Sequence, residues 1–181
     1  MRLDARLTLE SPQAVAILYK LDNARASPLE VFDVLLRIAP SGASEPDPEL
    51  AYVVPEGGDG AAIGKYLVAE PEDREVEAPE VVLARRLAPG ASLQGRMRLP
   101  LPLRLHHPYA QVPPAGPRRL LSLRVLIGFI DTARIPPNRP VFRPHAQHPN
   151  LSVPVHGNAM PLQEIVSVSL EVAGGTLMAA W

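Results

Sequence analysis

Arg2-Leu3-Asp4-Ala5-Arg6-Leu7-Thr8-Leu9-Glu10 alternates apolar and polar side chains without a break. A period of two puts Leu3, Ala5, Leu7 and Leu9 on one face and the charged and hydroxyl side chains on the other, the pattern of a strand half-buried against a core. The alternation returns further along the chain. Over 91–101, Leu93, Met97, Leu99 and Leu101 face inward with Gly95 among them, while Ser92, Gln94, Arg96 and Arg98 face water. Over 166–172, Val166, Val168, Leu170 and Val172 alternate with Ser167, Ser169 and Glu171, ahead of a break at Gly174-Gly175. Residues 119–130 carry Leu121, Leu123, Val125, Ile127 and Phe129 on one face and Leu120, Leu126 and Ile130 on the other, which predicts a central strand.

Proline restricts the alternatives. There are 22 in 181 residues, and each removes a backbone donor and clashes with a preceding helical turn. The proline-free windows suit strands bounded by turns better than packed helices. Val15, Ile17, Tyr19 and Leu21 predict a strand ended by Asp22-Asn23, and Val81, Leu83 and Leu87 another ended by Pro89-Gly90. Shorter candidates lie at 50–54 and 62–68. Residues 29–38 are ambiguous, because Leu29, Phe32 and Leu36 also fit helical spacing, but the valines and Pro40 favour a strand. The expectation is an all-β protein, an antiparallel β-sandwich of about nine strands with long Pro-rich loops, in a single domain over 1–181.

Two stretches carry a resemblance. Leu18-Tyr19-Lys20-Leu21-Asp22-Asn23 followed by Pro28-Leu29-Glu30-Val31-Phe32 resembles the strand, Asn turn and apolar strand that open bacterial immunoglobulin-like domains. Leu87-Ala88-Pro89-Gly90-Ala91-Ser92-Leu93 is similar to a hairpin that such domains carry later in the chain. Intracellular proteinase inhibitors of the Bacillus type share this general pattern. The resemblance implies an immunoglobulin-like topology, with inhibitor activity as one alternative function.

Composition excludes several classes. The absence of cysteine rules out disulfides, thiolate zinc sites, Fe–S clusters and cysteine nucleophiles. No run approaches the roughly 18 apolar residues of a membrane span, and the charged N-terminus does not resemble a secretory leader, so a cytoplasmic location is expected. Arg supplies 16 of the 18 basic residues, yet aromatics are 4% and the net charge is −1, which argues against nucleic acid. That near-neutrality is a cancellation. Residues 1–80 hold 7 basic and 16 acidic groups, and 81–181 hold 11 and 3. The halves either interleave and neutralise one another or segregate into a dipole.

No reaction chemistry is concentrated anywhere. There is no G-x-S-x-G elbow and no His-Glu-x-x-His pair. Gly57-Gly58-Asp59-Gly60-Ala61-Ala62-Ile63-Gly64-Lys65 fails as a phosphate loop, because Asp59 stands where the first Gly belongs and Tyr66 where Ser or Thr would bind magnesium. The acidic run Glu70-Pro71-Glu72-Asp73-Arg74-Glu75-Val76-Glu77 reads as a solvated loop. Pro114-Ala115-Gly116-Pro117-Arg118-Arg119 matches a polyproline ligand pattern but equally suits the entry to a strand.

What stands out is 131–162, with seven prolines, three His and three Arg, longer than ordinary connections. It is an ordered crossover covering one end of the core, a partner-binding loop or a disordered segment. The leading expectation is a non-catalytic interaction or assembly module, without a cofactor, that presents this excursion to a protein partner or to itself. Tyr109, Arg134, Arg139, Phe142 and Arg143 are the candidate contacts, since Arg and aromatics are enriched at interfaces. A loop-histidine metal site is a further alternative, with His145 and His148 as ligands completed by His106, His107 or His156.

Overall fold

The computed structural model describes residues 1–73, 75–76, 80–110, 116–172 and 177–181. The Gly174-Gly175 break, Pro114-Ala115 of the proline motif, and Arg74 and Glu77 of the acidic run lie outside the described residues.

The protein is all-β. A three-stranded sheet has the order β1 (Arg2–Ser11), β2 (Ala14–Asp22), β8 (Ser92–Pro100). A nine-stranded sheet runs β11 (Phe142–Pro144), β12 (Ser152–Pro154), β7 (Val82–Leu87), β3 (Leu29–Ile38), β10 (Ser122–Asp131), β6 (Gly60–Lys65), β5 (Tyr52–Glu56). Off this path, β13 (Glu164–Glu171) pairs with β10, and β4 (Ser44–Asp47) with β3. A third sheet joins β14 (Leu177–Ala180) to β9 (Pro117–Leu120). One short helix, α1 (His156–Ala159), and two 3₁₀ turns complete the described elements.

Each of the nine expected strands is present, but fourteen form among the described residues. The five additional ones have three or four residues each. Too few positions alternate in them for a period to show, and several contain proline. The run at 119–130 divides at Leu121, which is 53% exposed, so β9 and β10 join different sheets. The antiparallel expectation also needs one correction. Among the described residues an isolated parallel bridge joins Leu103 to Ala179, and the paired strands run antiparallel except β10 with β6, which runs parallel from Ser122–Gly60 to Ile127–Lys65. Such a pair needs a long crossover, and the chain makes it through β7 and β8 before returning as β10.

The two larger sheets meet through the main core. Leu3, Ile17, Leu21, Met97 and Leu99 of the first pack with Val31, Ile63, Leu123, Val125, Ile127 and Phe129 of the second. Burying each such side chain contributes about 1.5–3 kcal/mol. A second cluster covers the other face of the larger sheet, where Phe32, Leu35, Tyr52, Val82 and Ile130 pack under Val141 and Ala159. Ile135, Phe142, Met160 and Leu162 join it from the excursion. The 131–162 stretch is therefore an ordered crossover that packs onto this second cluster, together with Leu50, Leu67, Val68 and Tyr109.

β3 departs from a period of two at a bulge. Phe32 pairs with Ala84 and Val34 with Leu83, leaving Asp33 without a partner on β7. The extra residue puts Phe32 and Leu35, three apart, in one cluster, whereas Leu29, Phe32 and Leu36 of the helix-like spacing share no cluster, since Leu29 packs in the main core and Leu36 is half-buried. The charged halves interleave. Arg85, Arg86, Arg96, Arg98 and Arg124 from the basic half pair with Asp33, Glu30, Glu49, Glu10 and Glu56 from the acidic half.

Candidate functional site

The bulge places Asp33 between the two larger sheets, where four polar side chains converge. Tyr19 of β2 donates its hydroxyl to Asp33 Oδ1. Arg85 Nη2 lies 3.2 Å from Asp33 Oδ2, and Lys65 Nζ 3.7 Å from Oδ1. Lys65 is 0% exposed. Its ammonium donates to the Tyr19 hydroxyl at 3.1 Å, to the Asp33 carbonyl at 2.8 Å and to the Pro48 carbonyl. All three N–H bonds of the ammonium are therefore engaged. Burial lowers the Lys65 pKa to about 8, opposed by the Asp33 charge, and burial followed by the same charge pushes the Tyr19 hydroxyl well above its ordinary value. Gly95 of β8 makes room for the phenol, since a Cβ there would lie 2.2 Å from Tyr19 Cζ and Oη. The cluster ties the bulge, the 47–51 segment and both sheets together, and Asp33 and Arg85 also line a cleft of about 370 Å³.

Arg85 lines a second, larger cavity of about 780 Å³ on its other side. Glu30 and Arg86 form its floor with Arg85, and residues 148–152 form its wall. The wall is the tip of the β11–β12 hairpin. His145 N–H donates to the Leu151 carbonyl at 3.0 Å, and Leu151 N–H to the His148 carbonyl at 2.9 Å. His145 Nδ1 accepts from the N–H groups of Gln147 and His148, both at 3.2 Å, which fixes the turn. The hairpin meets β7 at one residue pair, Ser152 with Ala84. Beyond Ala84 the outer edge of β7 carries no strand among the described residues.

Glu30 is 5% exposed and directly opposite Arg86. Its Oε1 accepts from Arg86 Nη1 at 3.2 Å. Its Oε2 is buried and has no hydrogen-bond partner among the described residues. Burial raises the Glu30 pKa and Arg86 opposes the rise. The Arg86 side chain is 64% exposed, so most of its donors face the cavity and solvent.

The residues singled out in the sequence take up separate contacts. Phe142 packs in the second cluster with its ring 6.2 Å from Phe32, and the Tyr109 hydroxyl accepts from Glu80 N–H at 3.1 Å beside the same cluster. Arg134 pairs with Glu164 at 2.9 Å, and Arg139 donates to Asn158 Oδ1 at 2.6 Å. Arg143 is exposed on β11. None of these five lines the larger cavity, although Arg143 belongs to the hairpin whose tip does.

The histidines do not converge. His145 and His148 lie with ring centroids 4.9 Å apart and ring planes tilted by 49°. His106 Nδ1 contacts the Ala51 carbonyl at 2.7 Å, His107 Nδ1 accepts from Tyr109 and Ala110 N–H, and His156 Nε2 contacts the Val68 carbonyl at 2.9 Å. Among the described residues no group of three or more His, Asp or Glu could hold a metal ion.

Sequence reasoning passed over Tyr19, Glu30, Asp33, Lys65, Arg85, Arg86 and Gly95. The readable signals were an acid inside Val31-Phe32-Asp33-Val34-Leu35 and one of only two lysines closing an apolar run at Gly64-Lys65. A polar group at a core position needs a partner, and that requirement was the clue. No family model, curated protein or solved structure matches the chain. Among the described residues no helix is long and apolar enough to cross a membrane.

Proposed function

We propose that this protein is a non-catalytic interaction module, an immunoglobulin-like β-sandwich that holds an extended segment of a protein partner between the β7 edge and the hairpin tip. The carrying observation is the β7 edge beyond Ala84, which carries no strand among the described residues, set beside a cavity of about 780 Å³. An extended peptide added to an open strand edge gains main-chain hydrogen bonds, and adjoining side chains supply specificity. The non-catalytic part of the reading is supported by Lys65, whose three donors are already engaged and which has no exposed surface. Support for the immunoglobulin-like part comes from Asn23, whose side-chain amide donates to the carbonyls of Leu87 and Ala88. The two stretches that carry the resemblance are thus bonded to one another.

Selection from a displayed library of random extended octapeptides tests this reading. Asn150→Trp, an exposed substitution at the cavity wall, is expected to weaken selected peptides at least ~10-fold, about 1.4 kcal/mol, with unchanged circular dichroism. No enrichment, or equal binding to both forms, overturns it.

A further inference from the structure

We propose that the outer face of the β9–β14 sheet docks the exposed carboxylates Glu72, Asp73 and Glu75 of a second copy of the chain, in a contact that repeats head to tail. This surface is separate from the groove at β7 and does not rest on it. Directly opposed residues share a sheet face. The register sets Leu177 against Leu120 on the buried side, and Met178 against Arg119 and Ala180 against Pro117 on the outer side. Along its other edge β14 takes Leu103, whose N–H donates to the Met178 carbonyl at 2.8 Å and whose carbonyl accepts from Ala180 N–H at 2.7 Å. Leu103 and Ala179, the bridged pair, are buried, so Arg104 falls on the outer side beside Ala180. Two guanidinium groups thus flank an apolar strip, in which Met178 is 39% exposed.

Arg104 and Arg119 are exposed and have no ion pair among the described residues. Their own stretches offer none, since 81–130 and 177–181 contain no Asp or Glu. The compensating charge sits elsewhere. The chain carries only −1 in all, and residues 70–80 hold six acids against Arg74. Glu70 is taken by His156, Oε1 to Nδ1 at 3.4 Å. Glu72, Asp73 and Glu75 are exposed and without an ion pair among the described residues. Leu67 and Val68, just ahead of them, pack in the second cluster, whereas Leu103, Leu120 and Leu177 pack in the main core. The two surfaces are therefore anchored on opposite faces of the larger sheet. Such a contact is heterologous, because one copy's cations meet the next copy's acids and each end keeps an unpaired set. Arginine suits it, since its planar fork takes carboxylates with two parallel bonds. Met178, Ala180 and Pro117 between the cations give a nucleic acid no ring to stack on, which favours a protein surface.

Sedimentation velocity of the whole chain tests the contact. At low salt the weight-average mass is expected to rise with protein concentration, and to fall back to that of a monomer at about 1 M salt, where charges are screened within about 3 Å. Arg104→Gln with Arg119→Gln, and separately Glu72→Gln with Asp73→Asn, should each weaken association at least ~10-fold with unchanged circular dichroism. Mixed in equal amounts, the two variants should regain a single contact and stop at two chains, because each keeps the half that the other lacks. A wild type that stays monomeric at every concentration overturns the proposal, as does association that survives either variant or a mixture that behaves like its components. If that monomer binds a labelled DNA oligonucleotide and Arg104→Gln with Arg119→Gln releases it, the face belongs to nucleic acid instead.

Discussion

The Lys65 ammonium lies 2.8 Å from the backbone carbonyl oxygen of Asp33, the residue that the bulge leaves without a partner on β7. A bulge frees backbone groups in the middle of a sheet, and a buried carbonyl needs a donor. Lys65 supplies it and at the same time serves Tyr19 and Pro48. Lys65→Met would leave three acceptors short of a donor and Asp33 with Arg85 alone among its cations. The expected cost is about 3 kcal/mol, the scale of removing one partner from a buried ion pair. Urea unfolding measures it, and a loss below about 1 kcal/mol, the scale of an ordinary hydrogen bond, would show that the cluster does not hold the sheets together.

The same lysine gives stability a dependence on pH. Its folded pKa is lowered from 10.5 to about 8, so between these values the unfolded chain binds more protons than the native one. Stability from this group is complete above 10.5 and is lost as pH falls through about 8. Wild-type stability should therefore rise over this window with a slope of up to about 1.4 kcal/mol per pH unit. Tyr19 works in the opposite direction above its ordinary value of 10.0, because its native pKa is raised. Unfolding free energies at pH 7.5, 8.5 and 9.5 test the rise, and its persistence in Lys65→Met would assign it to another group.

Gly95→Ala tests how closely the sheets approach. The new methyl carbon would begin 2.2 Å from Tyr19 Cζ and Oη, inside any real contact, so the phenol must leave Asp33. A loss of about 1–3 kcal/mol is expected, as for overpacking a filled core. Restoration of stability by Tyr19→Ala in the same chain would locate the clash. Additive losses would place it elsewhere.

The fold was legible wherever one strand face meets water, because alternation then records burial directly. β1, β8 and β13 could be read from Leu3, Met97 and Val168 and their polar neighbours. The signal failed where both faces are buried. In β3 the acid at 33 marked a bulge, and period-two reading had no place for an inserted residue. Parallel pairing of β6 with β10 was invisible because pairing partners leave no mark on a continuous apolar run. The candidate groove was half legible. The unusual composition of 131–162 pointed to its wall, whereas Glu30 and Arg86 come from strands whose opposition only the register reveals. Phe142 and Tyr109 show the corresponding ambiguity, since an aromatic in a Pro-rich loop reads the same whether it packs inward or faces a partner.

Arg25 joins the start of the excursion to β13 and provides the acid limb of stability. Its guanidinium bonds Asp131 at 2.9 Å and Glu164 at 2.7 Å, and lies 5.0 Å from the Phe129 ring centroid. Both carboxylates are held below their ordinary values, but for different leading reasons. Glu164 is lowered first by its bonds to Arg25, and Asp131 first by the Ser27 hydroxyl. Groups with depressed native values contribute stability that is present above their ordinary pKa values and is lost as pH falls through the native ones. Arg25→Met should therefore move the acid unfolding midpoint upward. Carboxyl chemical shifts should show Glu164 returning most of the way to 4.5 in that variant, while Asp131 moves less. Ser27→Ala should invert the order, releasing Asp131 and sparing Glu164. Equal shifts of both carboxylates in both variants would mean that the network titrates as a unit rather than through separate bonds.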